Sequence, residues 1–205
     1  MPSRLICRLL LALMSLVIAG CASRSASTEP SGEYRTITAA PRRDLDAAIK
    51  ANQQGLEQLA KGQTAKAIEA FQAALTADVT FGPAHNNLGT IYYGQRDYYK
   101  AAWEFEYAIK LMPGQPQPRN NLGLVYEAVG KLDEAVASYD EALKLDADNP
   151  QYIGNAARAR ARRGDRTPEL RDLLSRLIMH DTRPEWVAWA RQTLARLEAA
   201  PPRPS

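Results

Sequence analysis

Cysteine and histidine are almost missing from this sequence: its 205 residues hold two of each, Cys7, Cys21, His85 and His180. A thiolate or imidazole metal site needs several such ligands together, and a hydrolytic triad needs a histidine between a nucleophile and an acid. Neither histidine has such neighbours, and both are expected as surface or half-buried side chains without a partner. A Gly-rich phosphate loop and a paired-carboxylate motif are missing too. No catalytic residue, metal or cofactor is therefore expected, and an enzyme is the disfavoured class. The acids of the second half, Glu127, Asp133, Glu134, Asp140, Glu141, Asp146 and Asp148, read as solvating charges on helix faces and turns. An excess of one charge is also lacking, with 26 Lys and Arg against 23 Asp and Glu and a net charge of +3. A chain so near neutrality has no electrostatic footprint for nucleic acid.

Long apolar runs are scarce. The one at the start, Leu9 to Gly20, follows Arg4 and Arg8. Its length suits the core of a secretory signal, about 7–15 residues, and falls short of the roughly 20 needed to span a bilayer. Ile18-Ala19-Gly20-Cys21 resembles the lipobox of bacterial lipoproteins. That resemblance implies removal of residues 1–20, acylation of Cys21 as the first mature residue, and attachment to a membrane. Cys7 leaves with the signal, so no thiol remains for a disulfide, and loss of Arg4 and Arg8 takes the charge from +3 to +1. Ala22 rather than Asp after Cys21 fits the outer-membrane sorting pattern of enteric lipoproteins. Residues 21–43 have the Ser, Thr, Pro and Gly composition of a flexible tether. The final APPRPS, 200–205, is expected as a disordered tail that cannot continue a helix.

What the body does contain is repetition. Asn-Asn-Leu-Gly followed two residues later by Tyr occurs at Asn86–Tyr92 and again at Asn120–Tyr126. In the same register Leu88, Gly89, Tyr92, Ala101, Phe105, Ala108 and Leu111 recur 34 residues on as Leu122, Gly123, Tyr126, Ala135, Tyr139, Ala142 and Leu145. Stepping back gives Gly55, Ala67, Phe71 and Ala74; stepping forward from Gly130 gives Gly164. Each unit reads as two helices, with Gly89 and Ala101 small at their closest approach and Tyr92 and Phe105 filling the space beside them.

These residues resemble the tetratricopeptide repeat, whose Leu-Gly, Tyr, Ala, aromatic, Ala and Pro pattern has this spacing. The match is good over 82–115, with Pro113 completing it, and over 116–149, where Ala147 replaces the proline. It is weaker over 48–81, where Gln54 and Gln58 take the Leu and Tyr slots. There Leu45, Ile49, Leu56 and Leu59 form a stripe on the other side of the helix, which is either rotated or lines a groove with apolar groups. The fourth unit keeps Asn155, Ala157 and Gly164 but has Glu169 in the small-residue slot. Thr167 caps a helix from Pro168 that buries Leu170, Leu173, Leu174, Leu177 and Ile178. Thr182-Arg-Pro-Glu185 reads as a capping box for a last helix that buries Trp186, Val187, Ala190, Leu194 and Leu197 and caps the stack. The expected fold is all-α, a right-handed solenoid of about nine helices. Three units fill 44–149, and a degenerate fourth with the capping helix fills 150–199.

At about 100° per residue, Asn86, Asn87, Thr90 and Tyr93 fall opposite Leu88, Gly89 and Tyr92. The doubled asparagine is therefore expected to point into the concave groove. Ladders of Asn52, Asn86 and Asn120 beside Gln53, Asn87, Asn121 and Asn155 would there hold an extended peptide by its backbone, each carboxamide offering donors and an acceptor. Inherited repeat consensus explains the asparagines equally well. Arg158 and Arg162 fall in the groove slots of the fourth unit, as a basic end for an acidic segment or as a solvated face. Tyr99, Trp103 and Tyr107 lie about 160° from the core positions of their helix. Ala65, Glu69 and Ala73, and Asp133, Ala137 and Glu141, stand at the equivalent positions of other units. This aromatic stripe is expected on the convex face, as a partner surface or covered by the tether or last helix.

The expected function is protein–protein scaffolding from the periplasmic side of a bacterial outer membrane. The resemblance includes lipoproteins of this layout that assist pilus or secretion-machine assembly. An adaptor for peptidoglycan hydrolases or synthases and a self-associating envelope component are the alternatives.

Overall fold

The computed structural model describes residues 43–199. The leader, Cys21 and the tail from 200 lie outside the described residues. Among the described residues nine helices follow one another: α1 Leu45–Ala60, α2 Thr64–Ala77, α3 Gly82–Gly94, α4 Tyr98–Leu111, α5 Gln117–Ala128, α6 Leu132–Leu145, α7 Pro150–Arg163, α8 Pro168–His180 and α9 Pro184–Ala199. Among the described residues there is no strand and no helix long and apolar enough to cross a membrane.

Local chemistry places the boundaries. The carboxylates of Asp44 and Asp97 accept from the N–H groups of Ala47 and Lys100 to cap α1 and α4. Asn149 caps α7 through Gln151 and Tyr152, and Thr167 caps α8 through Leu170. Each cap satisfies N–H groups that the first helical turn leaves unpaired. The turn inside each pair needs one left-handed residue: Gly62 (φ 72°), Arg96 (φ 62°), Gly130 (φ 78°) and Gly164 (φ 86°), always 34 apart. Three of the four are glycine, which adopts that conformation without a steric cost.

Helices pack pairwise, α1 on α2, α3 on α4 and α5 on α6, and each pair packs on the next. The small-residue slot shows why the Leu-Gly motif recurs. A Cβ on Gly55, Gly89 or Gly123 would stand 2.4, 2.7 or 2.6 Å from the ring of Phe71, Phe105 or Tyr139 respectively. Those three rings are almost wholly buried, each contributing about 1.5–3 kcal/mol of apolar transfer. The α1 packing is thus that of the other units, with Ala48 and Gly55 inward. Leu45, Ile49 and Leu56 are exposed, and Leu59 is half-buried against the first core cluster. The first helix is not rotated.

The fourth unit departs from the register. Glu169 is exposed, and α8 instead buries its neighbour Leu170 with Leu173, Leu174 and Leu177. On α9 only Ala190 is fully buried, while Trp186, Val187, Leu194 and Leu197 are half-buried. The capping box expected from Thr182 is displaced. With α9 starting at Pro184, Thr182 lies outside the first turn, and Asp181 instead accepts from the backbone and guanidinium of Arg183. Trp186 fills the space beside Gly154, where a Cβ would approach its ring to 2.9 Å.

Candidate interaction surfaces

The first helices α1, α3, α5 and α7 carry the asparagines, and their carboxamides bond one another. Asn87 Nδ2 donates to Asn52 Oδ1 at 2.9 Å, Asn121 Nδ2 to Asn86 Oδ1 at 3.1 Å, and Asn155 Nδ2 to Asn120 Oδ1 at 2.8 Å. The second asparagine of each unit thus clasps the first asparagine of the preceding unit. Of the ladder expected from helical rotation, Asn52, Asn86 and Asn87 line an open groove, whereas Asn120 and Asn155 bond each other between units. Asn86, Asn120 and Asn155 are buried, because neighbouring first helices cover them, and their polar groups serve unit-to-unit contact. The ends of the stack fit the same rule. Unit one, the first among the described residues, has Gln53 in the donor slot; unit four has Gly154 in the acceptor slot, where Trp186 packs.

An open groove of about 610 Å³ remains beside the clasp. Leu56, Pro83, Met112 and Pro118 supply its apolar wall, and Asn52, Asn86, Asn87, Gln115 and Gln117 its carboxamides; no ionisable side chain lines it. Such a mixture accepts the backbone and small apolar side chains of an extended chain. Tyr93 does not line this groove. Its ring lies 5.9 Å from that of Tyr98, half-buried against the core, and burial raises its phenol pKa.

Arg158 and Arg162 converge on Glu127. Arg158 binds it through Nε and Nη2, both at 2.9 Å, Arg162 through Nη1 at 2.8 Å, and the Tyr139 hydroxyl donates to it at 2.9 Å. Glu127 is 5% exposed, so it is no solvating charge. Burial alone would raise its pKa, but the hydrogen bonds from Arg158 and Arg162, helped by Tyr139, outweigh that and hold it below the ordinary value. Burial and the adjacent carboxylate push the Tyr139 phenol far up, keeping it a donor. The sequence held a signal for this cluster: Arg162 follows Glu127 by 35 residues, the offset of the asparagine clasps.

Tyr99, Trp103 and Tyr107 are exposed by 83%, 47% and 38%. The last two also roof a buried polar pair. His85, expected without a partner, is 3% exposed; its Nδ1 lies 2.6 Å from Glu104 Oε2 and its Nε2 donates to the Val79 carbonyl at 3.1 Å. Its ring stacks 5.3 Å from Tyr107 and meets the edge of Trp103 at 6.5 Å. This pairing accounts for Trp103 and Tyr107, which the repeat does not demand, and leaves Tyr99 outside it. His180 is exposed at the end of α8. Among the described residues, no three His, Cys, Asp or Glu side chains gather as a metal site would require.

Stacked helix pairs, the 34-residue register and a groove on the first helices define a helical-repeat solenoid. Residues 52–116 and 116–149 match models of the tetratricopeptide repeat, so the chain carries tetratricopeptide repeats over those residues. Solved structures share the fold. Pseudomonas aeruginosa pilF aligns with a TM-score of 0.63 at 20% identity, over 75% of this chain and 74% of that one. The first TPR of Spaghetti (RPAP3), bound to an HSP90 peptide, aligns with a TM-score of 0.59 at 18% identity, over 62% and 100%. MamA aligns with a TM-score of 0.56 at 19% identity, over 75% and 83%. A comparison of the sequence with curated proteins finds no match.

Proposed function

We propose that this protein is a non-catalytic scaffold, tethered through lipid on Cys21 to the periplasmic face of a bacterial outer membrane. Its groove captures an extended segment of a partner during assembly of a pilus or secretion machine. The observation that carries the binding role is the open, uncharged groove lined by carboxamides together with Leu56, Pro83, Met112 and Pro118. The lipobox resemblance and the tether composition support the anchor, and likeness in fold to Pseudomonas aeruginosa pilF favours the pilus assignment. The exposed Tyr99, Trp103 and Tyr107 favour a second contact, with a folded partner such as a peptidoglycan enzyme or another copy of this chain.

Proximity labelling in the native envelope tests both parts. Cys21→Ser is expected to move the protein from the membrane to the soluble fraction. Leu56→Asp, on an exposed position, is expected to remove groove partners without unfolding the chain, and Trp103→Ala to remove only folded ones. An unchanged set of labelled proteins from both surface variants, with folding intact, overturns the binding role. Membrane retention of the Cys21→Ser protein overturns the anchor.

A further inference from the structure

The fourth unit breaks the repeat at two slots that meet in one cavity. At 34-residue spacing Tyr92 and Tyr126 are followed by Arg160, and Ala101 and Ala135 by Glu169. Helices α6 and α8 both pack on α7. Between them opens a cavity of about 420 Å³ with Arg160 and Glu169 in its lining.

Arg160 is 9% exposed, yet its pairing is incomplete. Both Asp140 oxygens accept from Nη2 at 2.7 Å, while Nη1 is buried with no acceptor. A buried donor in that state is stabilised by whatever brings it an oxygen. The carboxylates have the opposite need, since Asp140, Glu169 and Asp172 line the cavity against the one cation Arg160. Asp172 lies 3.6 Å from Arg176, and its side chain is 65% exposed; Arg176 also serves the Ala147 carbonyl and Asp148. Glu169 is exposed, and hydrogen bonds from Thr167 and its own backbone hold its pKa below the ordinary value. Leu143 and Leu173 add an apolar stretch of wall. A metal ion does not fit, because among the described residues no three His, Cys, Asp or Glu side chains converge. A Lys or Arg within an extended chain does, since it has a carbonyl acceptor, an apolar stem and a cationic head.

We propose that the cavity between α6 and α8 is a docking site for a Lys or Arg residue in an extended segment of a partner protein. The cationic head sits between Glu169 and Asp172, the stem lies on Leu143 and Leu173, and the main-chain carbonyl of that residue accepts from Arg160 Nη1. Turning of the exposed Glu169 side chain toward the cation opens Nη1 to that carbonyl. The site is separate from the uncharged groove, which is lined from α1, α3 and α5.

The full chain, purified in detergent, is titrated by fluorescence anisotropy with labelled, end-blocked peptides of Ala and Ser that carry a central Lys, Gln or Glu. The Lys peptide is expected to bind about fivefold tighter than the Gln peptide, the scale of a partly exposed charged contact, and the Glu peptide more weakly than either. Asp172→Asn, at an exposed position, is expected to remove the preference for Lys over Gln with the thermal midpoint unchanged. Arg160→Tyr restores the residue of the other units and is expected to weaken the Lys peptide without lowering the midpoint. Equal binding of the Lys and Gln peptides, or a preference untouched by Asp172→Asn, overturns the site. Lys-peptide binding unchanged by Arg160→Tyr in a folded chain does so too. Glu134→Gln, exposed on α6 outside the lining, is expected to keep the preference; its loss there shows only attraction to an acidic surface and overturns the site. Leu56→Asp is expected to keep it as well, and loss there places the peptide in the groove and likewise overturns the site.

Discussion

Among the described residues, Arg96 is the one most at odds with its backbone. Its φ of 62° belongs to a region that costs an L-residue about 1–2 kcal/mol, and the equivalent residues 62, 130 and 164 are all glycine. Its side chain is exposed and its N–H bonds the Tyr93 carbonyl, which glycine retains. Arg96→Gly is therefore expected to stabilise the chain by up to about 1 kcal/mol after the larger backbone entropy of glycine is counted. Differential scanning calorimetry reads this as a higher midpoint, and a lower one contradicts the assignment. Glu127 makes a prediction in pH. Its folded-state pKa is depressed, so its contribution to stability is complete above the unfolded value near 4.3 and is lost as pH falls through the folded value. Glu127→Gln is expected to cost about 1–3 kcal/mol at neutral pH. The difference between wild type and variant should shrink in acid, as measured by urea unfolding at several pH values; a difference that grows below pH 4.3 refutes the coupling. Other carboxylates with depressed pKa values, such as Asp181 held by Arg183, are common to both chains and cancel.

At the scale of elements, the asparagine clasps decide how first helices meet. Asn120 and Asn155 are 1% and 5% exposed, so removing either carboxamide strands the other in a dry site. Each single Asn→Ala change is expected to cost about 1–3 kcal/mol. The Asn120→Ala, Asn155→Ala double variant should lose less than the sum, by about 0.5–3 kcal/mol of coupling. Additive losses in thermal or urea unfolding show that the bond contributes nothing. The positions were legible in the sequence. Their direction was not: rotation about one helix axis puts Asn120 opposite Leu122, and only the neighbouring helix shows that this side chain is covered.

For the whole molecule, the 34-residue register was enough to read the helix pairs and the Leu-Gly and aromatic packing, and apolar periodicity after the Thr167 cap to read the α8 leucines, because each depends on spacing within one unit. Other features depend on pairs that sequence distance hides. His85 and Glu104 lie 19 residues apart, and Glu127 lies 31 from Arg158; both pairs are meetings of helices. Reading each side chain against its own helix made a solvated charge of Glu127 and an unpartnered ring of His85. The fourth unit misled for the same reason, since α9 rather than a further repeat packs there and Trp186 takes the space that Gly154 leaves.

The sequence by itself therefore determined the all-α repeat, its period and the residues that fill each unit, since a motif repeated at fixed spacing must make the same local contacts each time. Only the tertiary structure decided which polar groups stay open to the groove and which are spent inside the stack. That choice is set by the separation of adjacent first helices, close enough for one carboxamide to reach the next at 2.8–3.1 Å, and no single helix contains that distance.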